Sequence, residues 1–225
     1  MEDINFSLKI FNKNQLLVDI ELLIKDTLAL IGESGSGKSL TLKAILRLLP
    51  KNLTYELKGN IPSPVSIVVQ NPFTALSPLT KIKDHFEVDK SEQKKFLELV
   101  ELDESFLERF PSQLSGGQLQ RVIIALALSI NPKFLLLDEP TTALDSKTKE
   151  NILLMINDLR EKLGFKLLYV THDIDSSKFL CEDIAVIKKG KIIEKGKVLE
   201  VLMHPKESYT KALIEANFKN RGFRE

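Results

Sequence analysis

The stretch TLALIGESGSGKSLTLKAIL, residues 27–46, decides the fold. Thr27 to Ile31 is a short apolar run and reads as a buried strand. Gly32 to Ser39 matches G-x-x-x-x-G-K-[ST]. Beyond it, Leu42, Ile45, Leu46 and Leu49 recur at helical spacing until Pro50 supplies a stop. A strand, that loop and a helix in this order form the context in which the motif cradles phosphate. Gly32, Gly35 and Gly37 let backbone N–H groups turn inward, and the helix opening near Lys38 adds the positive end of its dipole. Lys38 is expected to neutralise the β- and γ-phosphates of a nucleoside triphosphate. The Ser39 hydroxyl is placed to ligate Mg2+.

Outward from this stretch the chain reads as one α/β domain spanning residues 1–225. Ile4 to Phe11 and Leu16 to Ile24 are expected to pair as antiparallel strands around the turn at Asn12 to Gln15, an N-terminal β-subdomain. Val65 to Val69 is a β-branched strand candidate. Residues 71–130 carry prolines, mixed charge and a helix from Gln118 to Ile130, and read as a small inserted helical subdomain. Then come a buried strand (Phe134 to Asp138), a helix marked by Ile152, Met155, Ile156, Leu159 and Leu163 with Gly164 as its stop, and a strand from Lys166 to Val170. Ile184 to Lys188 and Lys191 to Lys195 flank Lys189-Gly190 as a hairpin. Residues 203–225 form a helical tail, with Ala212, Leu213 and Ala216 expected to pack inward. Strands alternating with helices imply a largely parallel sheet, made mixed by the antiparallel strands.

Net charge is +1, so no strong basic field points to nucleic acid. The single cysteine, Cys181, excludes an internal disulfide framework or a cysteine cluster. The first residues do not read as a signal peptide, and the longest apolar runs, such as Val122 to Ile130, are about half of a bilayer span.

FLLLDEP, Phe134 to Pro140, supplies the acidic partner of the phosphate loop. Asp138 and Glu139 emerge at the carboxyl end of a buried strand, where ligands sit in open α/β sheets. Asp138 is expected to hold magnesium, and Glu139 to orient or deprotonate an attacking water.

Together these motifs resemble the ATP-binding-cassette (ABC) family. GESGSGKS resembles its Walker A and FLLLDEP its Walker B with the adjacent glutamate. LSGGQLQR, Leu114 to Arg121, resembles the signature, and Gln70 the Q-loop glutamine. TTALD, Thr141 to Asp145, resembles the D-loop, and THD, Thr171 to Asp173, the switch region. The order is that of the family, and the likeness covers nearly the whole chain. It implies a P-loop NTPase fold, ATP hydrolysis, and ATP with Mg2+ as ligands. Glu33, Ser34, Ser36 and Leu40 would join Gly32, Gly35, Gly37, Lys38 and Ser39 around the phosphates. Leu40 stands where many relatives have threonine. Gln70 would touch the metal and His172 the γ-phosphate. Phe11 is the candidate to stack on adenine, against the plainer reading of a core residue in a half-buried strand. Ser115, Gly116, Gly117 and Gln118 would face the nucleotide held by a second ABC ATPase subunit, identical or different.

QNPFTALSP, Gln70 to Pro78, and HPKESYTKALIEA, His204 to Ala216, resemble stretches of the oligopeptide, dipeptide and nickel importer ATPases. The sequence up to Glu225 lacks the cysteine-containing extension of larger members and resembles a minimal cassette, closer to the nickel or short-peptide systems. The resemblance implies an energy-coupling subunit at the cytoplasmic face of the inner (plasma) membrane, held peripherally by transmembrane permease subunits and served indirectly by a substrate-binding protein. The alternative is a soluble non-transport ABC ATPase acting in an assembly or regulatory complex.

Overall fold

The computed structural model describes residues 2–142 and 144–221, with side chains to residue 217. Ala143 of the TTALD stretch and residues 222–225 of the tail lie outside the described residues. The chain divides into two compact units, residues 1–62 with 166–225, and residues 63–165.

The first unit is built on a mixed sheet in the order β4-β1-β2-β9-β8-β3-β7. β1 (Ile4–Asn12) lies antiparallel to both β2 (Gln15–Ile24) and β4 (Leu53–Gly59). β3 (Thr27–Ile31) runs parallel to β7 (Lys166–Thr171) and β8 (Asp183–Lys188). β8 turns back antiparallel into β9 (Lys191–Lys197). Sequence patterns explain the difference between the halves. β1 buries Ile4, Phe6, Leu8 and Ile10 and exposes Asn5 and Lys9, as a strand with one wet face must. β3 and β7 are buried at every position, as strands covered on both faces are. β4 was not among the expected strands, although LTYELKG alternates Leu53, Tyr55 and Leu57 with polar residues. It is a polar, largely exposed strand at the sheet edge, and its charged side chains discourage further pairing.

α1 (Lys38–Ile45) ends earlier than its apolar spacing predicts. Arg47 adopts φ 59°, Leu48 N–H bonds Lys43 O and Arg47 N–H bonds Ala44 O. This pattern closes a helix through a left-handed residue, so Leu46 and Leu49 fall outside the helix.

In the second unit, β5 (Val65–Val68) runs parallel to β6 (Phe134–Asp138). Around them lie α2 (Pro72–Ala75), α3 (Lys90–Leu99), α4 (Gly116–Ser129) and α5 (Ser146–Leu163). α5 starts well before its first buried apolar residue because Asp145 caps it, accepting from Thr148 N–H at 3.0 Å. It ends at Gly164, whose φ is 75°. Ile152, Met155, Ile156 and Leu159 are buried as the spacing predicts, but Leu163, in the last turn, is exposed.

The tail forms α6 (Val198–Met203) and α7 (Ser208–Arg221). Thr210, Leu213 and Ile214 face inward, whereas Ala212 and Ala216 are exposed. The buried stripe is offset from the expected one. α7 seats its larger side chains against the turn at Ile174–Phe179, and alanine offers too little apolar surface to set the face.

Candidate functional site

In the first unit, the loop from Gly32 to Ser39 follows β3 and opens α1. Lys38 is buried, and its Nζ donates to the carbonyls of Gly32 (2.6 Å) and Glu33 (2.9 Å). The lysine thus holds the entrance of its own loop. Gly37 is the N-cap of α1 at φ 113°, a conformation that glycine adopts without strain. Its carbonyl accepts from both Thr41 N–H (2.9 Å) and Thr41 Oγ1 (3.0 Å), which sets the first helical turn. Gly32 is needed for close approach, since a Cβ there would collide with the carbonyl oxygen of Ile187. Glu33, Ser34, Gly35 and Ser39 are exposed, Leu40 is half-buried, and Ser36 is buried with its hydroxyl unpartnered. A cradle of exposed backbone at a helix N-terminus, with a buried ammonium beside it, suits a polyphosphate. Also in this unit, His172 follows β7 as an exposed side chain, and Asp173 N–H donates to Thr171 Oγ1 at 3.0 Å.

In the second unit, four buried residues, Phe134 to Leu137, deliver Asp138 and Glu139 half-buried at the end of β6. Glu139 stands at φ 46°, a left-handed conformation costing a non-glycine residue about 1–3 kcal/mol. Its carboxylate Oε2 accepts from Gln70 Nε2 and from Thr142 Oγ1, both at 3.2 Å, and Thr142 N–H closes a turn onto Glu139 O at 3.3 Å. Strain retained and locked by neighbours points to a position chosen for its aim rather than for stability.

The loop at Leu114–Arg121, in the same unit, is the N-terminus of α4. Ser115 Oγ accepts from Gln118 N–H at 3.3 Å, and Gln118 Oε1 accepts from Ser115 N–H at 3.0 Å, a reciprocal cap. Gly116 and Gly117 are the first helical residues. A Cβ on Gly117 would press Thr148 at 3.0 Å, so small size matters there more than backbone freedom.

Residues 18–142 match the family model described as ABC transporter. The chain belongs to the ABC transporter family. It carries that family's ATP-binding ATPase domain. It is 35% identical to the oligopeptide transport ATP-binding protein OppD of Bacillus subtilis, over 84% of this chain and 62% of the relative. It is 33% identical to the dipeptide transport ATP-binding protein DppD of Caldanaerobacter subterraneus, over 88% of this chain and 71% of the relative. The chain therefore spans only about three-fifths of the OppD relative's length. A solved dimer of the ATP-binding cassette MJ0796, in a post-hydrolysis state with ADP and Pi, superposes with TM-score 0.70 at 30% identity, covering 87% of this chain and 98% of that one.

Within this ABC ATPase, Phe11 lies on the half-buried side of β1, opposite the core side of Ile4, Phe6, Leu8 and Ile10, and beside a register shift at Ile10/Phe11. It is therefore not part of the apolar face of its strand. No group of three or more His, Cys, Asp or Glu able to hold a metal ion occurs among the described residues. Ser39 in the first unit and Asp138 in the second each offer an oxygen donor of the kind that Mg2+ takes. Three contacts escaped the sequence reading. Thr142 steadies Glu139, Tyr209 Oη accepts from Glu33 N–H at 3.0 Å, and Asn217 Nδ2 donates to His172 O at 3.4 Å. The Tyr209 and Asn217 contacts depend on where the tail folds back, which no local pattern carries, whereas Thr142 meets Glu139 three residues back in the same turn.

Proposed function

We propose that this chain is the ATP-hydrolysing, energy-coupling subunit of an importer for short peptides. The observation that carries it is the hydrogen bond from Gln70 to the strained Glu139. Gln70 opens the segment Asn71–Leu79, whose Phe73 and Leu79 are exposed apolar side chains. A partner docking there acts on a segment joined, through one hydrogen bond, to the carboxylate assigned to water activation. The names of the OppD and DppD relatives support peptide as the cargo class.

In this reading the loop Gly32–Leu40 binds the phosphates of ATP. Lys38 exchanges its two carbonyl contacts for phosphate oxygens, and Phe11 offers its exposed face to adenine. Ser39 in the first unit, and Asp138 and Gln70 in the second, are the candidate ligands of Mg2+, which would supply positive charge to the phosphates. Glu139 orients the attacking water and takes its proton, with His172 placed to contact the γ-phosphate.

Ser115 uses a lone pair to accept from Gln118 N–H, so its own hydroxyl proton can be donated to a γ-phosphate. Gly116 and Gly117 add N–H groups at the positive end of α4. Gln118 steadies Ser115 and reaches the nucleotide by releasing the Ser115 N–H. These groups serve the ATP of a second subunit, identical or different, so ATP favours the closed pair. No helix among the described residues is long and apolar enough to cross a membrane. Permease subunits hold the chain at the cytoplasmic face of the plasma membrane, and a substrate-binding protein selects the cargo.

The test is uptake of labelled di- to pentapeptides in a strain lacking this chain, complemented with the native protein or with Glu139→Gln. Peptide uptake restored only by the native protein supports the reading. Restored nickel uptake with no peptide uptake replaces the cargo. If neither uptake changes and the protein recovers no permease subunit from membranes, the importer assignment fails.

A further inference from the structure

The tail reaches the phosphate loop. Tyr209 sits in the first turn of α7, and its hydroxyl accepts from Glu33 N–H at 3.0 Å. Lys188 Nζ lies 4.5 Å from the centre of the same ring, a cation–π contact that fixes the ring's plane. The Glu33 residue is thereby held from two sides. Its N–H points to Tyr209, while its carbonyl accepts from Lys38 at 2.9 Å.

The start of α7 is anchored independently of the loop. Glu194 is buried on β9, and its carboxylate accepts from the N–H groups of Lys206 (2.8 Å) and Glu207 (3.2 Å). Leu213 and Ile214 are buried beneath the helix. Tyr209 therefore presents its hydroxyl from a fixed element, not from a free end.

We propose that Tyr209 is a positioning residue for nucleotide binding, holding the entrance of the phosphate loop in its binding shape from the C-terminal helix. This rests on the reading that Gly32–Ser39 binds ATP. A loop whose N–H groups must all turn toward one ligand pays an ordering cost if it is loose beforehand. Glu33 is the exposed residue at its mouth, where a peptide is most free to reorient. An acceptor on the outer side of that peptide removes the freedom without occupying the cradle. Lys38 can then leave the Glu33 carbonyl for phosphate while Tyr209 still holds the peptide. The bond that Tyr209 makes is to the loop at Glu33, so its effect belongs to binding.

The test compares the full chain with Tyr209→Phe, which keeps the ring and its lysine contact and removes only the hydroxyl. Lys38→Ala serves as the control on the ATP reading. A fluorescent ATP analogue with Mg2+ is titrated, and exchange of the Glu33 amide is followed by NMR on protein with 15N-labelled glutamate. A neutral hydrogen bond is worth about a fivefold change in an equilibrium constant. Tyr209→Phe is expected to weaken analogue binding about three- to tenfold and to speed Glu33 amide exchange by a similar factor, with Tm little changed. Binding and Glu33 exchange equal to the native protein, while Lys38→Ala binds poorly, overturn the role of Tyr209 alone. Weakened binding that follows only a general loss of Tm, with Glu33 exchange no faster than its neighbours, also overturns it. Equal binding by the native protein and Lys38→Ala overturns the ATP reading itself.

Discussion

Glu139 is the residue to which the proposed function gives the water-activating role. Its backbone is held at φ 46° and its carboxylate receives Gln70 and Thr142, so its direction is set before any ligand arrives. Glutamine at this position keeps the shape and both contacts but cannot accept a proton from water. Glu139→Gln is expected to bind ATP as tightly as the native chain and to hydrolyse it about 100- to 1,000-fold more slowly, checked by single-turnover phosphate release. Normal turnover would remove Glu139 from its role. Lys38 is the opposite case, a buried cation whose Nζ donates to two carbonyls of its own loop, contacts that phosphate oxygens can replace. The sequence motif names this lysine. Its two carbonyl contacts tie it to the entrance of its own loop.

At the scale of elements, helix termini decide how both units are used. Ser115 and Gln118 cap α4 reciprocally, and Ser115→Ala removes the acceptor for Gln118 N–H. That change is expected to cost about 1 kcal/mol in urea unfolding, even with no nucleotide or partner present. At the start of α7, burial pushes the Glu194 carboxyl up, but the N–H donors of Lys206 and Glu207 outweigh it and leave it below the ordinary glutamate value. A depressed acid stabilises the fold above its unfolded value, about 4.3. That contribution is lost as pH falls through the lower folded value. Glu194→Gln should therefore lower Tm at pH 7, with the difference shrinking as thermal melts are taken from about pH 5 toward pH 3. A Tm difference independent of pH would show that the carboxylate charge is not what anchors α7.

For the whole molecule, the proposed function makes each chain half of a site used twice. The phosphate loop and the α4 N-terminus belong to different compact units of the chain, and the solved relative with ADP and Pi is a dimer. In a Glu139→Gln background, adding Ser115→Arg should leave each chain able to bind ATP. It should abolish ATP-dependent dimers in light scattering after gel filtration, because a bulky cation at the α4 N-terminus blocks approach. Undiminished dimers would overturn the two-subunit account.

Several features were legible because they are local. The run TLALIGESGSGKS contains its own strand, its turn residues and its helix start, so β3, the loop and the onset of α1 follow from neighbours within a few residues. FLLLD defines β6 in the same way, and Gly164 the end of α5. The length of α1 was misread because its end is written in a left-handed Arg47, and arginine carries no sign of that conformation. β4 was missed although Leu53, Tyr55 and Leu57 alternate with polar residues, a local signal of the strand that pairs with β1. The buried stripe of α7 was offset because packing against Ile174–Phe179, not alanine spacing, sets its face. Sequence alone therefore determined the family, the glycine-rich loop between β3 and α1 and the acidic end of β6, since each rests on contiguous motifs of residue type and spacing. Only the tertiary structure decided that Gln70 holds Glu139 from 69 residues away, and that Tyr209 holds Glu33 from 176 residues away. Such contacts come from chain reversals, and no spacing rule in the sequence records them.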